Sequence, residues 1–122
     1  MNLNKVALIG NLTAAPVAKT IASGLELSRF TVATNYLSKT KTGSKKVTDF
    51  HLIVAWGGLA RVANQYLKKG SKVYLEGRLH TDTWEDKNKL KHYKTEIIAN
   101  GLIMLDSKKK EVLAEVEEVP FN

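Results

Sequence analysis

The order of elements read from the sequence predicts an all-β domain. It is a five-stranded Greek-key barrel with one helix between its third and fourth strands and a β-hairpin extension. Three observations predict it. β-Branched and aromatic residues recur with a period of two through most of the chain. One segment, LARVANQYLKK, keeps a helical period instead. The chain has only 122 residues, and closing the sheet on itself leaves so short a chain no long exposed edge. An open α+β sheet is the competing architecture.

Val6 to Leu12 is apolar, ends in a turn-like break at Thr13 to Pro16, and forms the first strand. In Leu25 to Thr34, Leu27, Arg29, Thr31 and Ala33 share one parity; Ser28, Phe30, Val32 and Thr34 share the other. This is the second strand. SKTKTGSKK, residues 38 to 46, is polar, carries four lysines and one glycine, and reads as a mobile loop. Val47 to Trp56 is the third strand, stopped by Gly57 and Gly58. In the helical segment, residues 59 to 69, Leu59, Val62, Ala63, Tyr66 and Leu67 form one apolar stripe. Lys68 and Lys69 suit the negative end of its dipole, and Gly70 is placed to cap it. The fourth strand runs from Ser71 to about Trp84, with Val73, Leu75, Gly77 and Leu79 on one parity. EDKNKLK is a polar turn into the fifth strand, Tyr93 to Ala99. Asn100-Gly101 marks a kink before a short run, Leu102 to Leu105. Three strands, a helix and two strands are the order of the OB-fold, whose helix plugs one end of the barrel.

The net charge is +7 and unevenly spread. Residues 111 to 122, EVLAEVEEVPFN, hold four glutamates and no lysine or arginine. The remaining 110 residues carry nineteen basic and eight acidic groups, or +11. A basic body suits a polyanionic partner, nucleic acid first, and the acidic tail suits a separate task. There are no cysteines, which excludes disulfides and thiolate metal sites. The N-terminal apolar run is strand-length, too short for a signal-peptide core. No segment approaches the roughly 20 apolar residues of a membrane span. A soluble, intracellular protein of one domain is expected.

Trp84 stands among Thr81, Asp82, Thr83, Glu85, Asp86 and Lys87, none of which helps to bury it. It shares parity with Tyr74, Glu76, Arg78, His80 and Asp82, opposite Val73, Leu75 and Leu79. The ring is therefore expected outside the barrel, near the tip of a long hairpin. Exposed aromatics on lysine-bearing strands are what single-stranded nucleic acid requires. Each base offers a π-face worth roughly 1–3 kcal/mol when stacked, and lysines follow the phosphates. In the third strand Phe50, Leu52, Val54 and Trp56 share one parity and Asp49, His51, Ile53 and Ala55 the other. Both sets are apolar near the middle, so parity alone leaves open which one faces the core. The preceding lysines favour a binding face for Phe50 and Trp56.

LNKVALIGNLTAAP, RFTVAT, DFHLIVAWGGLARVANQYLKKGSKVYLEGRLHTDTWED and HYKTEIIANGLIML resemble the bacterial single-stranded DNA-binding proteins (SSBs) over nearly all of residues 1 to 106. The resemblance implies an OB-fold that binds single-stranded DNA without reading its sequence, in replication, recombination and repair. It also implies a homotetramer, with a dimer as the alternative, in the cytoplasm on the nucleoid. It requires no cofactor. Carried over by position, the stacking aromatics are Phe50, Trp56 and Trp84, with Tyr36 near a fourth. Many members have a Trp and then a Phe where this chain has Phe50 and Trp56. Gly58, Asp82 and Thr83 stand where basic residues are common. The phosphate contacts implied are Lys5, Arg29, Lys68, Lys69, Lys72 and Arg78, and the subunit contacts His51 and Tyr74. A primosomal protein N type of OB module, serving helicase loading, is the alternative.

The resemblance divides the chain into a binding domain, residues 1 to 107, and a short charged tail, 108 to 122. Glu117, Glu118, Val119, Pro120 and Phe121 resemble the acidic Pro-Phe tip with which the family recruits replication and repair proteins. No Gly/Pro/Gln-rich linker precedes them, and Asn122 follows the Phe. Val112, Leu113, Val116 and Val119 have helical spacing. The like charges Glu111 and Glu115 oppose a helix by roughly 0.2–0.5 kcal/mol, so a mobile tail is expected. Asp82, Glu85, Asp86 and His80 sit among lysines at a hairpin tip. Two-metal chemistry needs carboxylates fixed on rigid elements, so neither a metal site nor catalysis is expected.

Overall fold

The alternating segments form long strands, and their inward residues meet in one core. The computed structural model describes residues 1–105 and 113–114. The elements are β1 (Val6–Leu12), β2 (Val17–Thr20), β3 (Glu26–Thr40), β4 (Gly43–Trp56), α1 (Gly57–Tyr66), β5 (Lys72–Glu85), β6 (Lys91–Met104) and β7 (Leu113–Ala114). The five long strands lie in the order β1-β5-β6-β4-β3, and β3 returns to β1 through Asn11↔Ala33 and Leu12↔Val32. The sheet is thus a closed barrel, the expected OB-fold. All its pairings are antiparallel except β4 with β6, which meet at Ile53↔Ile97 and Val54↔Ile98.

Val32, Ile53, Val73 and Leu75 fill the interior and are fully buried. Leu59, Ala60 and Ala63 of α1, with Leu67 just beyond it, join that cluster and close one end. Two glycines let strands approach at the corners. A Cβ on Gly10 would lie 2.4 Å from the Ala33 carbonyl oxygen, and one on Gly77 2.3 Å from that of Ile98. Gly77 also sits at a bulge. Glu76 pairs with Gly101 and Gly77 with Ala99, so Asn100 is the extra residue. The kink expected at Asn100-Gly101 is this bulge, within one continuous β6.

Four elements depart from the sequence reading. SKTKTGSKK is a β-ribbon: pairing continues through Asn35↔Thr48 and Leu37↔Lys46 to Thr40↔Gly43, and Lys41 and Thr42 form the tip. Polar composition misled because a ribbon standing in water is polar on both faces. β2 is a short edge strand on Glu26 to Arg29, exposed along its whole length and held by backbone pairing, which leaves no periodic pattern. The helix starts at Gly57 and ends at Tyr66, with Leu67 already extended. Lys68, Lys69 and Gly70 therefore belong to a turn into β5, closed by Ser71 N–H donating to the Lys68 carbonyl at 3.0 Å. Gly70 does not cap the helix. Leu113 and Ala114 of the expected mobile tail form β7 on β6, through Ile103↔Leu113 and Leu102↔Ala114. Glu117, Glu118, Val119, Pro120 and Phe121 lie outside the described residues.

Candidate nucleic-acid interface

The barrel answers the question parity left open in β4. Ile53 and Ala55 point inward and are buried, while Phe50 points out and is 65% exposed, with exposed Leu52 beside it. Trp56, at the junction of β4 and α1, is half-buried opposite Leu27. Val54 has the same parity as Phe50 but is buried, flanked by Arg29 of β3 and Ile98 of β6.

Phe50, His51 and Leu52 meet Leu79, Thr95 and Ile97 around a cleft of about 290 Å³. Leu52 also borders a groove of about 230 Å³ whose walls include Val17, Arg29, Lys94 and Glu96. The two concavities are therefore neighbours across one leucine. In the groove Arg29 donates to Glu96, and Lys94 Nζ lies 3.5 Å from the same Oε2. Glu96 is buried, and two cations offset the desolvation of its carboxylate.

Trp84 lies where parity put it, on the outward face of β5 beyond the barrel, and is 48% exposed. Its ring stacks on His92 across the hairpin, with centroids 5.5 Å apart and planes at 21°. Five residues separate it from Leu79, about 17 Å at the usual strand rise. Leu79 itself, expected inside, is exposed because the ribbon has already left the barrel there. Tyr36, on the β3–β4 ribbon opposite Val47, is also exposed.

The six basic candidates are scattered differently. Lys72, Asn11, Ala33 and Phe50 form one row across β5, β1, β3 and β4, all facing outward. Lys72 thus stands three strand spacings, about 14 Å, from Phe50. Lys68 and Lys69 are exposed in the turn before it. Lys5 is exposed next to Asn4, whose Nδ2 donates to the Leu79 carbonyl at 2.8 Å while its Oδ1 accepts the Leu79 N–H at 2.9 Å. That pair of hydrogen bonds anchors Asn4, and with it the backbone beside Lys5, at the hairpin base. Arg29 is engaged by Glu96, and Arg78 is half-buried.

His51 is half-buried and bonded to Thr34 Oγ1 at 2.8 Å. Tyr74 donates to Glu76, and that bond first, then desolvation and the carboxylate charge, holds its hydroxyl above the usual 10.0. Sequence reasoning missed Tyr93, 66% exposed on the hairpin opposite Thr83, and the apolar cleft residues Leu52 and Leu79. Tyr93 had a usable signal, since His92 and Lys94 flank it as polar residues flank Trp84. Among the described residues no group of three or more His, Cys, Asp or Glu is placed to hold a metal ion. No helix among them is long and apolar enough to cross a membrane.

Comparison with known proteins gives the family and the fold. The sequence profile of the Single-strand binding protein family matches residues 3–105. Single-stranded DNA-binding protein 1 of Chlorobaculum tepidum is 47% identical over 108 residues, 87% of this chain and 67% of that protein. The protein of the same name from Xylella fastidiosa is 43% identical over 109 residues, 88% of this chain and 80% of that one. Among solved structures, the Plasmodium falciparum SSB complex with ssDNA superposes with a TM-score of 0.79 at 34% identity, covering 87% of this chain and 97% of that one. A deletion mutant of the single-stranded DNA binding protein from Thermus aquaticus gives 0.75 at 27% identity, covering 90% of this chain and 54% of that one. The chain belongs to the Single-strand binding protein family.

Proposed function

We propose that this protein binds single-stranded DNA without reading its sequence, in replication, recombination and repair. Bases stack on Phe50, Trp56, Trp84 and Tyr36, and Lys5, Arg29, Lys68, Lys69, Lys72 and Arg78 accompany the phosphates. The observation that carries this is Phe50: a large ring on a rigid strand, 65% exposed beside a cleft, in a row that ends at Lys72. A folded domain gains nothing from leaving that ring in water, and a base can cover it. The relatives' names and the solved complex with single-stranded DNA support the same ligand. Arg29 reaches phosphate by exchanging Glu96, or acts by keeping that buried carboxylate neutralised.

The reading extends to the assembly. Ile9, Tyr74 and Ile103 form a row on the outward face of β1, β5 and β6, and Ile9 is 54% exposed. An apolar row of that kind suits a second copy, which supports a homotetramer with Tyr74 and His51 near subunit contacts. Residues 1 to 107 are the binding domain, and 108 to 122 a charged tail that offers Glu117, Glu118, Val119, Pro120 and Phe121 to replication and repair proteins. The protein acts by binding, not catalysis, in the cytoplasm at the nucleoid.

Titration with poly(dT) tests the reading. Trp56 and Trp84 are the two tryptophans, so their fluorescence should be quenched. Affinity should fall with salt, with a log-log slope of about −0.7 per phosphate neutralised. Unquenched fluorescence with no salt-dependent binding rejects it.

A further inference from the structure

We propose that His92 and Asp86 are positioning residues for Trp84: they hold its ring at the hairpin tip with one face covered and the other open to a base. This rests on the reading of Trp84 as a stacking residue. His92 is the direct cross-strand partner of Trp84, on the same face of the hairpin, and the two rings are stacked. His92 is fixed in turn, because its Nε2 lies 2.8 Å from Asp86 Oδ2. Asp86 is fixed by the turn it begins. Its Oδ1 accepts the backbone N–H groups of Asn88 at 2.8 Å and Leu90 at 3.0 Å. Its own N–H donates to the Leu90 carbonyl, and its carbonyl accepts from Lys89, both at 3.0 Å. Lys89 has φ 62, the left-handed conformation such a tight turn requires.

The tip is therefore a chain of constraints running from turn backbone to carboxylate, imidazole and indole. A bare tryptophan on a ribbon in water would sample several rotamers, and a base would have to order it on binding. Here the ordering is already present, which is how preorganisation adds affinity. The base then completes a three-layer stack of imidazole, indole and nucleobase.

The experiment uses labelled oligo(dT) anisotropy on the full chain, with Trp56→Phe as background so that Trp84 is the sole tryptophan. Trp84→Ala should weaken binding about tenfold, the equivalent of one base stack. His92→Ala should weaken it several-fold and red-shift Trp84 emission. His92→Tyr, which keeps a ring in the stack, should restore both. Asp86→Ala should act in the same direction as His92→Ala. In the Trp84→Ala background neither change should weaken binding further. If His92→Ala costs the same in both backgrounds, His92 touches the nucleic acid itself and the inference is overturned. Loss with Trp84→Ala but none with His92→Ala or Asp86→Ala also overturns it, while leaving the stacking reading standing. Unchanged affinity in Trp84→Ala removes the stacking reading and this inference together.

Discussion

The outward face of β4 and the β5–β6 hairpin both present aromatic rings, and they hold them by different means. On β4 the alternate residues Ile53 and Ala55 are locked into the barrel core, so Phe50 is aimed by the register of the whole sheet. On the hairpin, Thr81 to Glu85 are all solvent-exposed save for what they share with β6. There is no core beneath Trp84 to aim it, and local bonds from His92 and Asp86 take that part. The difference teaches that parity is informative only where one face of a strand is buried. Beyond the barrel it says which ring opposes which, and nothing about which is wet.

Three perturbations sharpen this contrast. The largest effect belongs to the barrel. Leu75 is fully buried, and Leu75→Ala should cost about 2–5 kcal/mol of stability. Thr83→Ala on the hairpin should stay within about 0.5 kcal/mol. Chemical denaturation of both variants compares them, and equal losses would mean that the hairpin shares the core. Next comes Phe50→Ala. It should remove roughly 1–3 kcal/mol of single-strand affinity while leaving the denaturation midpoint nearly unchanged. A fall in stability of similar size would make Phe50 a packing residue.

The smallest effect is on the hairpin tip and depends on pH. The bond from His92, then the Leu90 and Asn88 amides, hold the Asp86 carboxyl below its ordinary 3.8 against partial desolvation. A lowered folded value means that the stabilisation is present above about 3.8 and disappears as pH falls through the lower value. The Asn88 and Leu90 amide resonances should follow that titration. A midpoint at or above 3.8 would show that the cap is not formed in solution.

Much of the barrel was legible in the sequence because its strands are half-buried and alternate. Val6–Leu12 and the first part of β5 were placed to within a residue. Of the helix stripe, Leu59, Ala63 and Leu67 face the core and Val62 packs against it, but Tyr66 is exposed and Ala60 takes its place inside, because the helix ends at Tyr66 and Leu67 turns extended. Helix propensity and a glycine at position 70 could not show that Leu67 turns extended to reach the barrel. The β3–β4 ribbon was read as a loop since its pairing depends on β3 and β4 having already been aligned by the barrel. In the site, Trp84 was legible from its polar neighbours. Tyr93 carried the same signature and went unread. Arg29 stands among the phosphate contacts that the resemblance implies; its ion pair rests on a cross-sheet neighbour, Glu96, 67 residues away.

The sequence by itself determined the barrel strands, the one helix, the basic body and the exposure of Trp84, because the first two follow from a period set by a buried face and the others from local composition. Tertiary structure alone decided which face of β4 is wet and set Lys72 in a row with Phe50. It also brought Asn4 onto Leu79 and Glu96 between Arg29 and Lys94. These follow from barrel closure and register, which join strands far apart in the chain.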